Sequence, residues 1–402
     1  MPGDLRRPIV SLVASHLPRA RSYEARRRAA RRAGHIRLGV LVAVIVLVIV
    51  LVLVLTGSPP PAKHSGGHGA GTSTTSTTAT RPATGAPAIE AALASWHLNA
   101  PLSRSVVLPG SAAGSLIVAG GLETGGASAQ GVYEVSSSDG AATQVGNLQS
   151  PLHDAAGVVL SGDGYLFGGT SGVAVSTVQR LADLGSSQPT TAAATLLGSL
   201  PLARAGDAAV TIGKTAYVVG GDNGTSAEAG VLATSDGVHF STVANLPVPV
   251  RFAAVAALGG RIYVFGGDAS SGPHAGDPVA TVQVVDPATH AATIVGSLPE
   301  PVAGSAAVTL GGVIYVAGGE TASASGGTPA VLRTVWAWLA ASETPVVAGK
   351  MDAAVAFAGV TVIGATAFVV GGESAPGVLV DDVQTLRANP HVMVTRASPP
   401  SG

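Results

Sequence analysis

The chain has 402 residues, no cysteine and a net charge of −1, with 47% hydrophobic and 11% charged residues. The missing cysteines exclude disulfides, thiolate metal sites and thiol nucleophiles. Charge is unevenly spread: residues 1–37 hold ten arginines against Asp4 and Glu24, and the rest holds twelve Lys plus Arg against twenty-one Asp plus Glu. An acidic body argues against a nucleic-acid partner, because binding the phosphate backbone needs Lys and Arg.

Residues 38–55, Leu38 to Leu55, form an unbroken apolar run with no polar face. As a helix, eighteen residues rise about 27 Å, close to the hydrocarbon thickness of a bilayer. A cleavable signal would be shorter and would end in a small-residue cleavage site; here Thr56-Gly57-Ser58-Pro59-Pro60-Pro61 follows. The expectation is an uncleaved transmembrane helix over 38–56. Six arginines from Arg26 to Arg37 precede it and only Lys63 follows closely. The positive-inside rule then keeps 1–37 in the cytoplasm and sends the remainder across the membrane. Residues 57–90, rich in Gly, Ser, Thr and Pro, bury too little apolar surface to fold and read as a disordered linker.

Beyond the linker, six Gly-Gly pairs each end a short apolar run. Their first members are Gly120, Gly168, Gly220, Gly266, Gly318 and Gly371. An aromatic ring stands three residues before five of them, at Tyr165, Tyr217, Tyr263, Tyr315 and Phe368, with Ile117 the exception. A period near fifty residues with several strands per unit indicates a propeller. Within one unit, Ala208–Ile212, Thr215–Val219, Val231–Thr234 and His239–Ala244 read as four strands, with Asp236-Gly237 as a hairpin signal.

The pattern of hydrophobic strand, double glycine, variable loop, polar turn and outer strand resembles the Kelch repeat. The resemblance covers roughly residues 94–388 and implies an all-β, six-bladed Kelch-type β-propeller, placed at 91–388 and followed by a tail, 389–402. The outer-strand tryptophan of that family is mostly absent, with Val145, Leu197 and Ile294 in its place. Ser95-Trp96-His97-Leu98 is expected to complete the last blade. Closing the ring with the first strand protects sheet edges from outside pairing.

Two sets of residues are candidates for a site. Arg104, His153, Arg204 and Arg251 lie 15 or 16 residues ahead of a double glycine, and Asp222, Asp268, Glu320 and Glu373 directly follow one. The Kelch resemblance implies that both sets face one channel mouth and contact a ligand. Two readings stand: charges that pair between blades, or a pocket for a sugar or peptide. No metal-ligand spacing, nucleophile elbow or phosphate loop is present, so no catalytic residue, metal or cofactor is assigned. The expected function is a membrane-anchored, extracytoplasmic binding or scaffold module for a protein or carbohydrate partner, without catalysis. The alternative is a sugar epimerase or mutarotase using the mouth arginines and acids. A composition rich in Ala, Gly, Val and Arg and poor in Lys suggests a bacterial source.

Overall fold

A computed structural model describes residues 85–184, 194–269, 276–322 and 328–395. The expected membrane helix, basic segment and most of the linker lie outside them. Among the described residues no helix is long and apolar enough to cross a membrane.

The described residues build six four-stranded antiparallel blades. Blade 1 comprises Val106–Pro109, Ser115–Ala119, Gly131–Ser136 and Ala142–Asn147. Blade 2 runs through His153–Leu160, Asp163–Thr170 and Val175–Leu181 into the 18-residue strand Thr195–Ile212. That long strand is outer strand to blade 2 up to Arg204 and inner strand to blade 3 from Ala205. Blade 3 continues with Thr215–Asp222, Gly230–Thr234 and Ser241–Asn245. Blade 4 is Ala254–Leu258, Arg261–Phe265, Thr281–Asp286 and Ala291–Ser297. Blade 5 is Ala306–Leu310, Val313–Ala317, Thr334–Leu339 and Thr344–Lys350. Blade 6 takes Gly359–Ile363, Thr366–Val370 and Val383–Thr395 from the end of the chain and Gly85–Leu93 from its start.

The ring therefore closes with one N-terminal strand and three C-terminal ones. The closing strand is Gly85–Leu93 rather than Ser95–Leu98, pairing Gly85 with Thr395 and Leu93 with Gln384. The expected linker end at 90 and tail start at 389 both fall inside this strand pair. Trp96 instead anchors the segment leading into blade 1: it is buried and its Nε1 donates to the Ser137 carbonyl, 3.1 Å away.

Cores form between blades. Tyr263 and Phe265 of blade 4 pack with Ile314, Val316, Trp336 and Trp338 of blade 5. Phe265 meets Trp338 edge to face, with centroids 5.8 Å apart, a favoured aromatic geometry. The double glycines stitch consecutive blades. In blade 4 the Gly267 amide donates at 2.8 Å to the Val302 carbonyl, on the segment leading into blade 5. Gly121, Gly319 and Gly372 make the same bond to Leu152, Val355 and Leu102. Gly266 has φ +60°, and a Cβ there would lie against the Val302 oxygen. Only glycine allows both the dihedral and the approach.

Replacing Gly213 isolates the dihedral cost, since its φ is +62° and nothing lies within 4 Å of a Cβ there. Gly213→Ala should lose about 1–2 kcal/mol, and Gly266→Ala that amount plus about 1–3 kcal/mol of overpacking. Equal urea midpoints for the two variants would show that the blade stitch is not sterically fixed.

Candidate functional site

Six inner strands surround a channel of about 660 Å³, lined largely by small side chains such as Ala155, Ala208, Ala254 and Ala306. Alanine fits because backbones crowd at the axis. At the start of each inner strand, second within it or two residues ahead of it, stands one residue with a left-handed backbone. These are Arg104 (φ 56°), Asp154 (57°), Gly206 (67°), Phe252 (55°), Gly304 (64°) and Phe357 (54°). Four of the six are not glycine, so the ring holds real strain. Its compensation is circumferential hydrogen bonding. Arg104 N donates to Phe357 O, Asp154 N to Arg104 O, Phe252 N to Gly206 O, Gly304 N to Phe252 O, and Phe357 N to Gly304 O, at 2.7–3.2 Å.

This circlet rims one mouth of the channel, around a depression of about 130 Å³. Its side chains close over the axis. Phe252 and Phe357 meet edge to face at 5.3 Å. The Arg104 guanidinium carbon lies 4.0 Å from the Phe357 centroid and 5.2 Å from that of Phe252, within cation–π range. Glycine at 206 and 304 leaves room for the rings, since a Cβ there would strike Phe252 and Phe357 respectively.

Arg104 is also doubly paired. Its Nε donates to Glu373 Oε1 at 2.9 Å, and its Nη1 lies 3.4 Å from Asp154 Oδ1. Burial pulls its pKa down, but Asp154 and Glu373 outweigh that and hold it above its ordinary value. Glu373 is buried and fully engaged, also accepting from Ser103 Oγ and from the Gly377 amide. Burial pushes the Asp154 carboxyl up, against the pull of Arg104 and His153. His153 shares a hydrogen bond with Ser128 Oγ at 2.8 Å; burial lowers its pKa, Asp154 opposes and Arg104 adds to the lowering.

The remaining candidates divide. Arg251 lies on the rim, with Nε 3.6 Å from Asp268 Oδ2 and its guanidinium 5.2 Å from the Phe252 centroid. Asp222 caps its own loop by accepting from the Gly224 amide at 2.6 Å. Glu320 is half-buried, and its carboxylate has no hydrogen bond or salt bridge to a described residue. Burial raises its pKa, and the Asp268 and Glu373 carboxylates raise it further. Arg204 departs from expectation. It is 2% exposed, and its Nη1 donates to the carbonyls of Gly220 and Gly230 inside blade 3. At the junction of blades 2 and 3 it thus clamps blade 3, two residues away from the mouth circlet.

Sequence reasoning missed Asp154, Phe252, Phe357 and Asp207. The available signal was an offset of 14 residues before the double glycine, which holds Asp154, Gly206, Phe252, Gly304 and Phe357. Asp207 lines both the channel and the mouth depression, and neither carboxyl oxygen has a hydrogen-bond partner. Burial pushes its pKa up to about 8, against the pull of Arg204. Away from the mouth, His97, Asp381 and Asp382 bring three potential metal-ligand atoms within 4.8 Å of one another, on partly exposed side chains.

Comparison with known proteins agrees with this architecture. Residues 249–296, spanning blade 4, match the Kelch motif. Beta-scruin of Limulus polyphemus is 35% identical over 88 residues, covering 22% of this chain and only 9% of that protein. The solved structure of YjhT superposes with a TM-score of 0.63 at 16% identity, covering 75% of this chain and 99% of that one. At that identity the likeness shows the fold. The chain is a Kelch-repeat β-propeller.

Arg104→Ala would leave Asp154 and Glu373 buried without their cation and should destabilise the propeller by about 3–5 kcal/mol in urea unfolding. The Asp207 carboxyl gives a pH signature of definite sign. Its folded pKa is raised, so its favourable contribution is complete below the unfolded value near 4 and is lost as pH rises toward 8. Asp207→Asn should therefore raise the melting temperature at pH 8, with the gain shrinking toward pH 4. A gain independent of pH would rule out a buried neutral acid.

Proposed function

We propose that the chain is a membrane-anchored binding module that holds its propeller on the extracytoplasmic side and takes a protein or glycan partner at the Arg104 mouth. The apolar run 38–55 and its arginine-rich leading flank support the anchor and its sidedness. The Kelch fold supports a binding or scaffold role in general. One observation carries the choice of partner chemistry: Glu320 is a half-buried carboxylate with no ion pair among the described residues, on a rim where Arg104 and Arg251 are already occupied. Arg104 is committed to Glu373 and Asp154, and Arg251 to Asp268. A carboxylate ligand would have to displace these acids. A lysine or arginine side chain, or a dense set of sugar hydroxyls, would instead satisfy Glu320 without breaking a pair.

Sugar isomerisation by arginine and acid finds less support, since Arg104 and Glu373 are bound to each other rather than turned to a substrate. Asp207, whose carboxyl oxygens have no hydrogen-bond partner among the described residues, is buried below the ring rather than set on the rim.

Two measurements test the proposal. A lysine-containing peptide should bind the full chain more weakly as salt rises, and Glu320→Gln should weaken it about tenfold, the effect of losing about 1.4 kcal/mol of charge pairing. Equal binding of an acidic peptide would defeat the partner chemistry. The absence of native cysteine makes sidedness directly readable. Ser138→Cys, at an exposed turn, should react with a membrane-impermeant maleimide on intact cells. Labelling only after lysis would place the propeller on the cytoplasmic side.

A further inference from the structure

Blades 1, 2, 4, 5 and 6 are each preceded by a short strap crossing from the neighbouring outer strand, and in three of them a buried glutamine grips the strap that packs on its third strand. Gln283 of blade 4 accepts from the Val248 amide and donates to the Val248 carbonyl, both at 2.9 Å. Gln384 of blade 6 does the same to Ala353, at 3.0 and 3.1 Å. Gln179 of blade 2 accepts from the Gln149 amide at 2.8 Å. These three occupy one register position. Gln179 pairs with Leu166, Gln283 with Val264 and Gln384 with Val369, each partner standing two residues before its double glycine.

The same position is Leu232 in blade 3, Trp336 in blade 5 and Tyr133 in blade 1. Leu232 and Trp336 are each 2% exposed and fill their seams with apolar bulk. Tyr133 does neither. It is 38% exposed, its ring leans back over Gly131, and it makes no bond to the strap.

The strap at this seam is nonetheless held in place. Leu98 N donates to Asp381 O at 2.9 Å, and Leu102 N to Val380 O at 3.2 Å. Between strap and blade lies a cavity of about 360 Å³, walled by Ala100, Pro101, Val118, Tyr133, Gly140 and Ala142. Its size and mainly apolar walls suit a ligand pocket. Ala100 stands two residues after Leu98, as Val248 does after Leu246 and Ala353 after Met351. It is thus the counterpart of the two residues that receive a carboxamide. Its own amide and carbonyl bond to no described residue.

We propose that the blade 1 seam binds the side-chain carboxamide of a glutamine presented by a partner polypeptide. The glutamine carbonyl accepts from the Ala100 amide and its NH₂ donates to the Ala100 carbonyl, repeating the internal contacts of Gln283 and Gln384. The pocket exceeds one glutamine, so an apolar residue beside it packs on Tyr133. A carboxylate cannot substitute, because it has no hydrogen to donate to a carbonyl. This site is separate from the Arg104 mouth and does not rest on the function proposed for it.

The test uses the full chain in detergent and two blocked tripeptides, acetyl-Val-Gln-Val-amide and acetyl-Val-Glu-Val-amide, followed by ligand-observed NMR titration. The glutamine peptide should bind saturably and the glutamate peptide at least tenfold more weakly. Tyr133→Gln should supply the missing carboxamide in cis, raising the melting temperature and weakening the glutamine peptide at least tenfold. Ala142→Leu should weaken it similarly by filling the pocket from the opposite wall. Lysine-peptide binding measured in parallel should be unchanged in the Tyr133→Gln chain, so the two sites can fail separately. Equal affinity for the two tripeptides, no saturable binding, or undiminished binding in both folded variants would overturn the proposal.

Discussion

Everything in this molecule hangs on one hydrogen bond made repeatedly: the amide of a second glycine reaching the carbonyl of the strap that enters the next blade. It recurs from Gly121 to Leu152, Gly267 to Val302, Gly319 to Val355 and Gly372 to Leu102. A blade by itself is a small twisted sheet with two apolar faces, and it is stable only when both faces are covered. The glycine stitch sets the distance and angle at which the next sheet arrives. Side chains then fill the wedge, large where the blades diverge and small near the axis. The need for glycine is local and steric, since the first glycine of each pair must accept a left-handed dihedral with a carbonyl oxygen where a Cβ would stand. A local need repeated at every blade becomes a visible period.

Closure adds a second constraint. The bond from Gly372 to Leu102 joins the last blade to the strap of the first, and the pairing of Gly85–Leu93 with Val383–Thr395 locks that join from outside. Tyr315 Oη of blade 5 donates to the Pro87 carbonyl at 2.9 Å, tying the closing strand to the neighbouring blade as well. Proline is tolerated there because the ladder is already irregular, its register shifting between Pro87 and Ala88.

How much of this was readable from residues alone follows from which constraints are rigid. The blade count was legible, because the double glycine cannot be replaced without steric cost. The acids at 222, 268, 320 and 373 were legible for the same reason, as each adjoins a fixed glycine. The mouth circlet was not, because its distance from the glycines passes through a hairpin of variable length. The turn Gly110–Gly114 makes blade 1 net two residues longer, so Arg104 stands 16 residues ahead of Gly120 where its equivalents stand 14 ahead of theirs. Grouping by 15 or 16 therefore joined Arg104 to Arg204 and passed over Phe252 and Phe357. The closing strand was hidden by composition. Gly85–Leu93 reads Gly-Ala-Pro-Ala-Ile-Glu-Ala-Ala-Leu, which carries little β preference, whereas Ser95–Leu98 offers a tryptophan and a leucine that serve as strap anchors.

The mouth shows how a strained ring and a charged cap depend on each other. Four non-glycine residues in the left-handed region disfavour the circlet, and an arginine beside two buried acids would be costly without close partners. In combination the terms offset. The circumferential bonds fix Arg104, Asp154, Phe252 and Phe357 where their side chains meet, and those contacts in turn favour the backbone that the ring requires. The mouth is thereby closed over: its cation is paired, its rings meet edge to face and its circlet amides are spent on one another. Among the described residues, unpartnered polar groups remain below the ring at Asp207, on the rim at Glu320 and in the first seam at Ala100. The recognition proposed at Glu320 and at Ala100 therefore falls where the repeat is imperfect, at positions whose counterparts Glu373 and Asp268, or Val248 and Ala353, are paired within the propeller.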